Sequence, residues 1–170
     1  MLPIGLFQNL INMDQKETYA FMRKHLSDKY DNVIATKDYI VAVGEIPIAL
    51  VAHLDTVFDD VKNKKLYINS EKNILVCPTG AGFDDKAGLF AILELIQRGL
   101  RPSIILTTNE EQGGVGALAL AQKKCPIPDL KFLIELDRQG YNDCVFYQCD
   151  NSKFRRYIEK FGFEAQIGTY

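Results

Sequence analysis

Three observations predict an α/β domain built in layers on a largely parallel sheet. Short, almost continuously apolar runs, such as IALVA from residue 48 and SIIL from residue 103, read as strands buried on both faces. Between them lie stretches with apolar residues at helical spacing, Leu89, Leu93 and Ile96 among them. The two patterns alternate along the chain, as they do when helices cover a sheet. At 170 residues the chain suits one core and a single domain, residues 1–170.

Taken in order, residues 14–29 predict an amphipathic helix with Phe21, Met22, His25 and Leu26 near one face. Residues 39–44 and 48–55 predict strands, the second nearly all apolar. KKLYI and NILVC, separated by residues 69–72, predict a hairpin. A helix is expected over residues 86–98, stopped by Gly99. Buried strands are expected at 103–108, 131–137 and 144–149, with a small-residue helix at 114–124 and a short helix at 152–161. The final EAQIGTY reads as the approach to a further strand or loop.

Composition narrows the function classes. Hydrophobic residues make up 47% and charged residues 25%, with a net charge of −2, so the chain reads as an ordinary globular protein. Lysines and arginines are scattered, which predicts no nucleic-acid partner. No apolar run reaches the length of a membrane-spanning helix, so no membrane partner is expected. The first residues lack a basic segment and a cleavage site, and do not read as a signal peptide. Cys77, Cys125, Cys144 and Cys149 form no C-x-x-C pair, which points to reduced thiols and a cytoplasmic location.

The chemistry collects where the buried strands stop. IALVA ends in His53-Leu54-Asp55, SIILTT in Asn109-Glu110-Glu111, and KFLIEL in Asp137. The stretch GAGFDDKAG, residues 80–88, adds Asp84 and Asp85 at a glycine-rich turn before a helix. Ligands of open α/β sheets bind beyond the carboxyl ends of the strands. Carboxylates crowded there would repel and raise one another's pKa, a cost that divalent cations remove. Carboxylates plus imidazole, with no thiolate, suit zinc, manganese or cobalt. Each residue alone has a plainer reading: a core histidine, a turn aspartate, a helix cap, a solvated acidic loop. Together those readings require four independent polar accidents at strand ends or glycine turns.

His53-x-Asp55, Gly-Phe-Asp84-Asp85-Lys-Ala-Gly, Glu110-Glu111 and Asp137, in this order, resemble the motifs of the co-catalytic dinuclear zinc exopeptidases. That group holds aminopeptidases, carboxypeptidases, di- and tripeptidases and some deacylases. The Asp-Asp-Lys-Ala-Gly form is nearest its tripeptidase-like branch. The resemblance covers residues 47–140.

It implies a three-layer α/β/α sandwich with a mixed, largely parallel central sheet. It implies metal ligands His53, Asp84, Glu111 and Asp137, with Asp84 bridging two zinc ions and joined to Asp85 by a cis peptide. Asp55 would orient His53, and Glu110 would be the general base in hydrolysis. Gly113, Gly114 and Gly116 would leave room for substrate and for close backbone approach. The substrate would be a peptide, or an N-acyl amino acid if the chain is a deacylase. A non-catalytic binding or assembly protein on the same fold is the other alternative. The resemblance also implies a second terminal histidine late in the chain, yet the 33 residues after Asp137 hold none. The expectation is a catalytic domain alone, without a lid or dimerisation domain and continued beyond Tyr170 in a full-length protein. One strong metal site and one weak one are expected, with the oligomeric state open.

Overall fold

The apolar runs become strands whose alternate residues feed two separate cores. The computed structural model describes residues 4–72, 74–140, 142–147 and 151–168. Two compact units divide the chain at Asp137. The first carries α1 (Ile4–Asn12), α2 (Gln15–Ser27), β1 (Asn32–Ala35), β2 (Tyr39–Val43), β3 (Ile46–His53), β4 (Tyr67–Asn69), β5 (Ile74–Val76), α3 (Phe83–Gln97), β6 (Pro102–Thr107), α4 (Val115–Ala121) and β7 (Phe132–Glu135). The second carries β8 (Asp143–Tyr147), α5 (Ser152–Glu159) and β9 (Glu164–Gly168).

The central sheet runs β1-β2-β6-β3-β7. It is mixed: β3 is parallel to both β6 and β7, whereas β2 is antiparallel to β1 and to β6. Only two residues join β2 to β3, yet β6 lies between them. The link crosses the start of β6, where the N–H groups of Glu45 and Ile46 both donate to the Arg101 carbonyl.

Period-two alternation gives each face of the sheet its own core. Ile40, Ala42, Leu50, Ala52, Ile104 and Leu106 pack with α1, α2 and α3. Tyr39, Val41, Ala49, Val51 and Ile105 face the other way, against Ala119 and Leu120 of α4. Helices therefore cover both faces, the three-layer arrangement expected. Helix α2 begins at a capping box: Asp14 accepts the Glu17 N–H at 2.9 Å, and Glu17 accepts the Asp14 N–H at 3.0 Å. The expected hairpin is present as β4–β5, with Tyr67 opposite Val76.

Several elements differ from expectation. Helix α1 and strand β1 were not anticipated, although Phe7, Leu10 and Ile11 show helical spacing and are buried. Run 131–137 is not a buried strand. As β7 it pairs with β3 along one side, and Leu133 and Ile134 are 52% and 37% exposed. Among the described residues, run 144–149 does not pair in the central sheet. Its described part is β8, which pairs in parallel with β9 inside the second unit; Phe146 packs against Phe154 of α5 at 5.8 Å. Residues 148–150 lie outside the described set. Among the described residues no helix is long and apolar enough to cross a membrane.

Candidate metal and active site

Parallel pairing decides where the polar strand ends go. Because β3 runs alongside β6 and β7, all three stop at the same edge. There the Leu54 N–H reaches the Thr107 carbonyl at 2.9 Å, and the Leu136 N–H reaches Val51 at 3.0 Å. This edge collects His53, Asp55, Glu110, Glu111 and Asp137. The start of α3 brings Asp84 and Asp85 to the same place. Their peptide bond is cis, as the resemblance implied, and both have non-helical backbone angles.

His53 is almost fully buried and stands at the centre. Its Nε2 lies 2.9 Å from Asp84 Oδ1 and 3.8 Å from Asp137 Oδ2. Its Nδ1 faces Asp55 Oδ1 at 3.4 Å, a charge contact longer than a good hydrogen bond. Burial alone would pull the imidazole pKa down. Asp55, Asp84, Asp85 and Asp137 overcome it and raise the pKa to about 10.

Asp55 does more than orient His53. Oδ1 accepts the Glu110 N–H at 3.0 Å and Oδ2 accepts the Glu111 N–H at 3.1 Å. Burial would raise its pKa, but the His53 contact and these two N–H groups hold the carboxyl below its usual range. Asp55 thereby ties the histidine strand to the acidic turn.

Asp85 points inward. Oδ2 accepts the His53 N–H at 3.1 Å and Oδ1 accepts the Gly88 N–H at 3.0 Å. Burial raises its pKa to about 8. A Cβ on Gly88 would stand 2.3 Å from Asp85 Oδ1, so that position admits only hydrogen. Lys86 is also fully buried; its Nζ donates to Thr18 Oγ1 at 2.6 Å and to the Leu54 carbonyl at 3.1 Å. Neither anchoring role was readable locally, because the partners are distant in sequence.

All seven residues singled out in the sequence converge. Two triples have potential ligand atoms within 4.8 Å of one another: His53, Asp84 and Glu111, and His53, Glu110 and Asp137. Burial and the Asp84 carboxylate raise Asp137 to about 6; burial and Asp84 also raise Glu111. Raised acids beside a raised histidine mark uncompensated negative charge. A divalent cation with mixed nitrogen and oxygen preference fits this donor set. A cavity of about 460 Å³ opens beside it, lined in part by Gln15, Asp55, Thr56, Glu111 and Gln112.

Gly116 permits the close backbone approach expected of it and leaves no room for substrate: its missing Cβ would stand 2.4 Å from the Asp38 carbonyl and 2.5 Å from the Thr108 nitrogen. Backbone fills that space and seats α4 on the sheet. Gly113 and Gly114 do have open space and positive φ. His25 lies in α2, stacked on Phe21 at 6.2 Å, and belongs to neither triple.

Fold and site together define an α/β protein with an imidazole–carboxylate cluster at the carboxyl edge of its sheet. Two solved peptidase structures share that fold. A tripeptidase from Staphylococcus aureus matches with a TM-score of 0.60 and 21% identity, over 84% of this chain and 44% of its own. The aminopeptidase PepT from Bacillus cereus matches at 0.57 and 20%, over 84% of this chain and 44% of its own. The resemblance drawn from the motifs is met at the level of fold, and the chain spans less than half the length of either structure. No family model and no curated protein matches the chain.

Proposed function

We propose that this chain carries the catalytic centre of a zinc-dependent peptidase that releases N-terminal residues or splits small peptides. The observation that carries the reading is the meeting of the two acid–histidine triples on His53, next to an open cavity. The shared fold of the tripeptidase and the aminopeptidase supports it.

In this reading His53, Asp84, Glu111 and Asp137 would hold the metal, with Asp84 and Asp137 both facing His53 Nε2. Manganese or cobalt would suit the same donors. Bound zinc lowers the pKa of water and polarises a carbonyl. Glu110 supplies the proton chemistry: its carboxylate takes a proton from the attacking water and returns it to the departing amine. Asp55 holds Glu110 by its N–H and faces His53, so base and ligand keep a fixed relation. The described cysteines Cys77, Cys125 and Cys144 are unpaired, which supports a reducing compartment such as the cytoplasm.

The test is release of an N-terminal amino acid from di- and tripeptides with added zinc, manganese or cobalt. Glu110→Ala should lower turnover by about 10²–10⁴-fold while the fold is retained. Wild-type rates in Glu110→Ala would remove the mechanism. Hydrolysis confined to N-acyl amino acids would shift the substrate class to a deacylase.

A further inference from the structure

The turn that bears Glu110 and Glu111 is held by side chains from far away in the sequence. Three consecutive backbone N–H groups end on two of them. Asn109 N–H donates to Gln15 Oε1 at 2.8 Å, and Glu110 and Glu111 donate to the two oxygens of Asp55. Gln15 also returns a bond, with Nε2 donating to Asn109 Oδ1 at 3.1 Å. Asn109 thus meets one amide with both its backbone and its side chain. Its φ is +53°, a left-handed conformation that turns the chain sharply from β6 into the acidic pair.

Gln15 is itself fixed. It is the first residue of α2, directly after the cap residue Asp14 and within its capping box with Glu17, and its own N–H donates to Asp59 Oδ2 at 2.9 Å. One turn along, Thr18 takes the Lys86 ammonium, which also grips the carbonyl between His53 and Asp55. The first turn of α2 therefore braces both acidic segments of the site.

We infer that Gln15 is a positioning residue that sets the direction of Glu110 and Glu111 through Asn109. The inference rests on the metallopeptidase reading, in which those two glutamates serve as base and ligand. Gln15 is a member of neither triple. It acts beside Asp55 and the backbone bonds from Gly113, Gly114 and Val115 that close the turn, fixing the direction of the chain at Asn109. Displacements of about 1 Å at such groups cost about 100-fold in rate.

The experiment uses Gln15→Met, which keeps the length of the side chain without its hydrogen bonds, and Asn109→Gly, which keeps the turn and removes one of the two bonds. Cobalt(II) is titrated by its visible absorption, and peptide hydrolysis is resolved into kcat and KM. Gln15→Met should bind cobalt about 10-fold more weakly and lose about 10–100-fold in kcat, with little change in KM. Asn109→Gly should fall between it and wild type. Wild-type cobalt affinity and kcat in Gln15→Met overturn the inference and leave the metallopeptidase reading intact. A wild-type chain that takes up no cobalt overturns that reading and this inference together. Should Gln15→Met fail to fold, Asn109→Gly decides, and wild-type cobalt affinity and kcat there overturn the inference.

Discussion

Asp55 accepts the backbone N–H of Glu110 at 3.0 Å across 55 positions of sequence, while its other oxygen takes the N–H of Glu111. A residue expected to orient one histidine also anchors the turn opposite. Asp55→Asn keeps the shape but presents an amide NH₂ to one of those donors and removes the charge facing His53. It should weaken zinc binding about 10–100-fold. It should also cost about 1.5–3 kcal/mol of stability through the lost hydrogen bond to a charged acceptor. Zinc titration and denaturant unfolding measure the two effects separately; wild-type values in both would mean that Asp55 holds neither His53 nor the turn.

The centre should hold one zinc tightly. His53 is shared by both triples, and imidazole nitrogen is the softest donor among them. Metal analysis after dialysis should give about one zinc per chain, and none in His53→Ala. Two tightly held zinc ions in the wild-type chain would contradict this expectation.

Without metal, stability should fall as the pH rises from 6.5 to 8. His53 has a folded pKa raised from 6.5 to about 10, so its contribution is complete below 6.5 and is lost on the way up to 10. Asp85 has a folded pKa raised from 3.8 to about 8; the folded chain keeps a proton that the unfolded chain releases, and that advantage also declines with rising pH. Both losses overlap between 6.5 and 8. Zinc needs deprotonated donors, so the zinc-induced rise in melting temperature should grow over the same interval. Melting curves at several pH values, with chelator and with zinc, check both trends.

Gly88→Ala should cost about 1–3 kcal/mol, because its Cβ would press on the Asp85 carboxylate within a packed interior. Asp85 holds the His53 N–H, so zinc affinity should fall as well. Denaturant midpoints and the same zinc titration test this; an unchanged midpoint would show that Asp85 can move aside.

Lys86 contributes in the opposite sense to His53. Burial lowers its pKa from 10.5 to about 8, so the unfolded chain retains a proton between those values that the folded chain has lost. Its contribution to stability therefore rises with pH over that interval. In Lys86→Met this rise should vanish, and the difference between the two pH profiles isolates it.

Much of the site was legible because His53, Asp55, Glu110, Glu111 and Asp137 each follow an apolar run that had to become a strand. Asp84 was marked by its glycine-rich surroundings. Strand β7 is more exposed than its apolar run suggests for a physical reason: such a run does not reveal how many neighbours its strand will have, and β7 pairs with β3 along one side. The same limit applies to β8, whose run resembles a core strand but pairs with β9. Gln15 carried no local sign, since its partner Asn109 is 94 positions away.

The sequence by itself determined the layered α/β class, the positions of the main strands and the residue types that can bind a divalent cation. Those features depend on periodicity and local chemistry, which each segment carries within itself. Tertiary structure alone decided that β6 would separate β2 from β3, that Asp85 would turn inward while Asp84 faces the site, and that Asp55 and Gln15 would share the N–H groups of one turn. Such relations depend on which buried donor finds which acceptor once the chain has folded, and that pairing is set by packing between segments remote from one another in the chain.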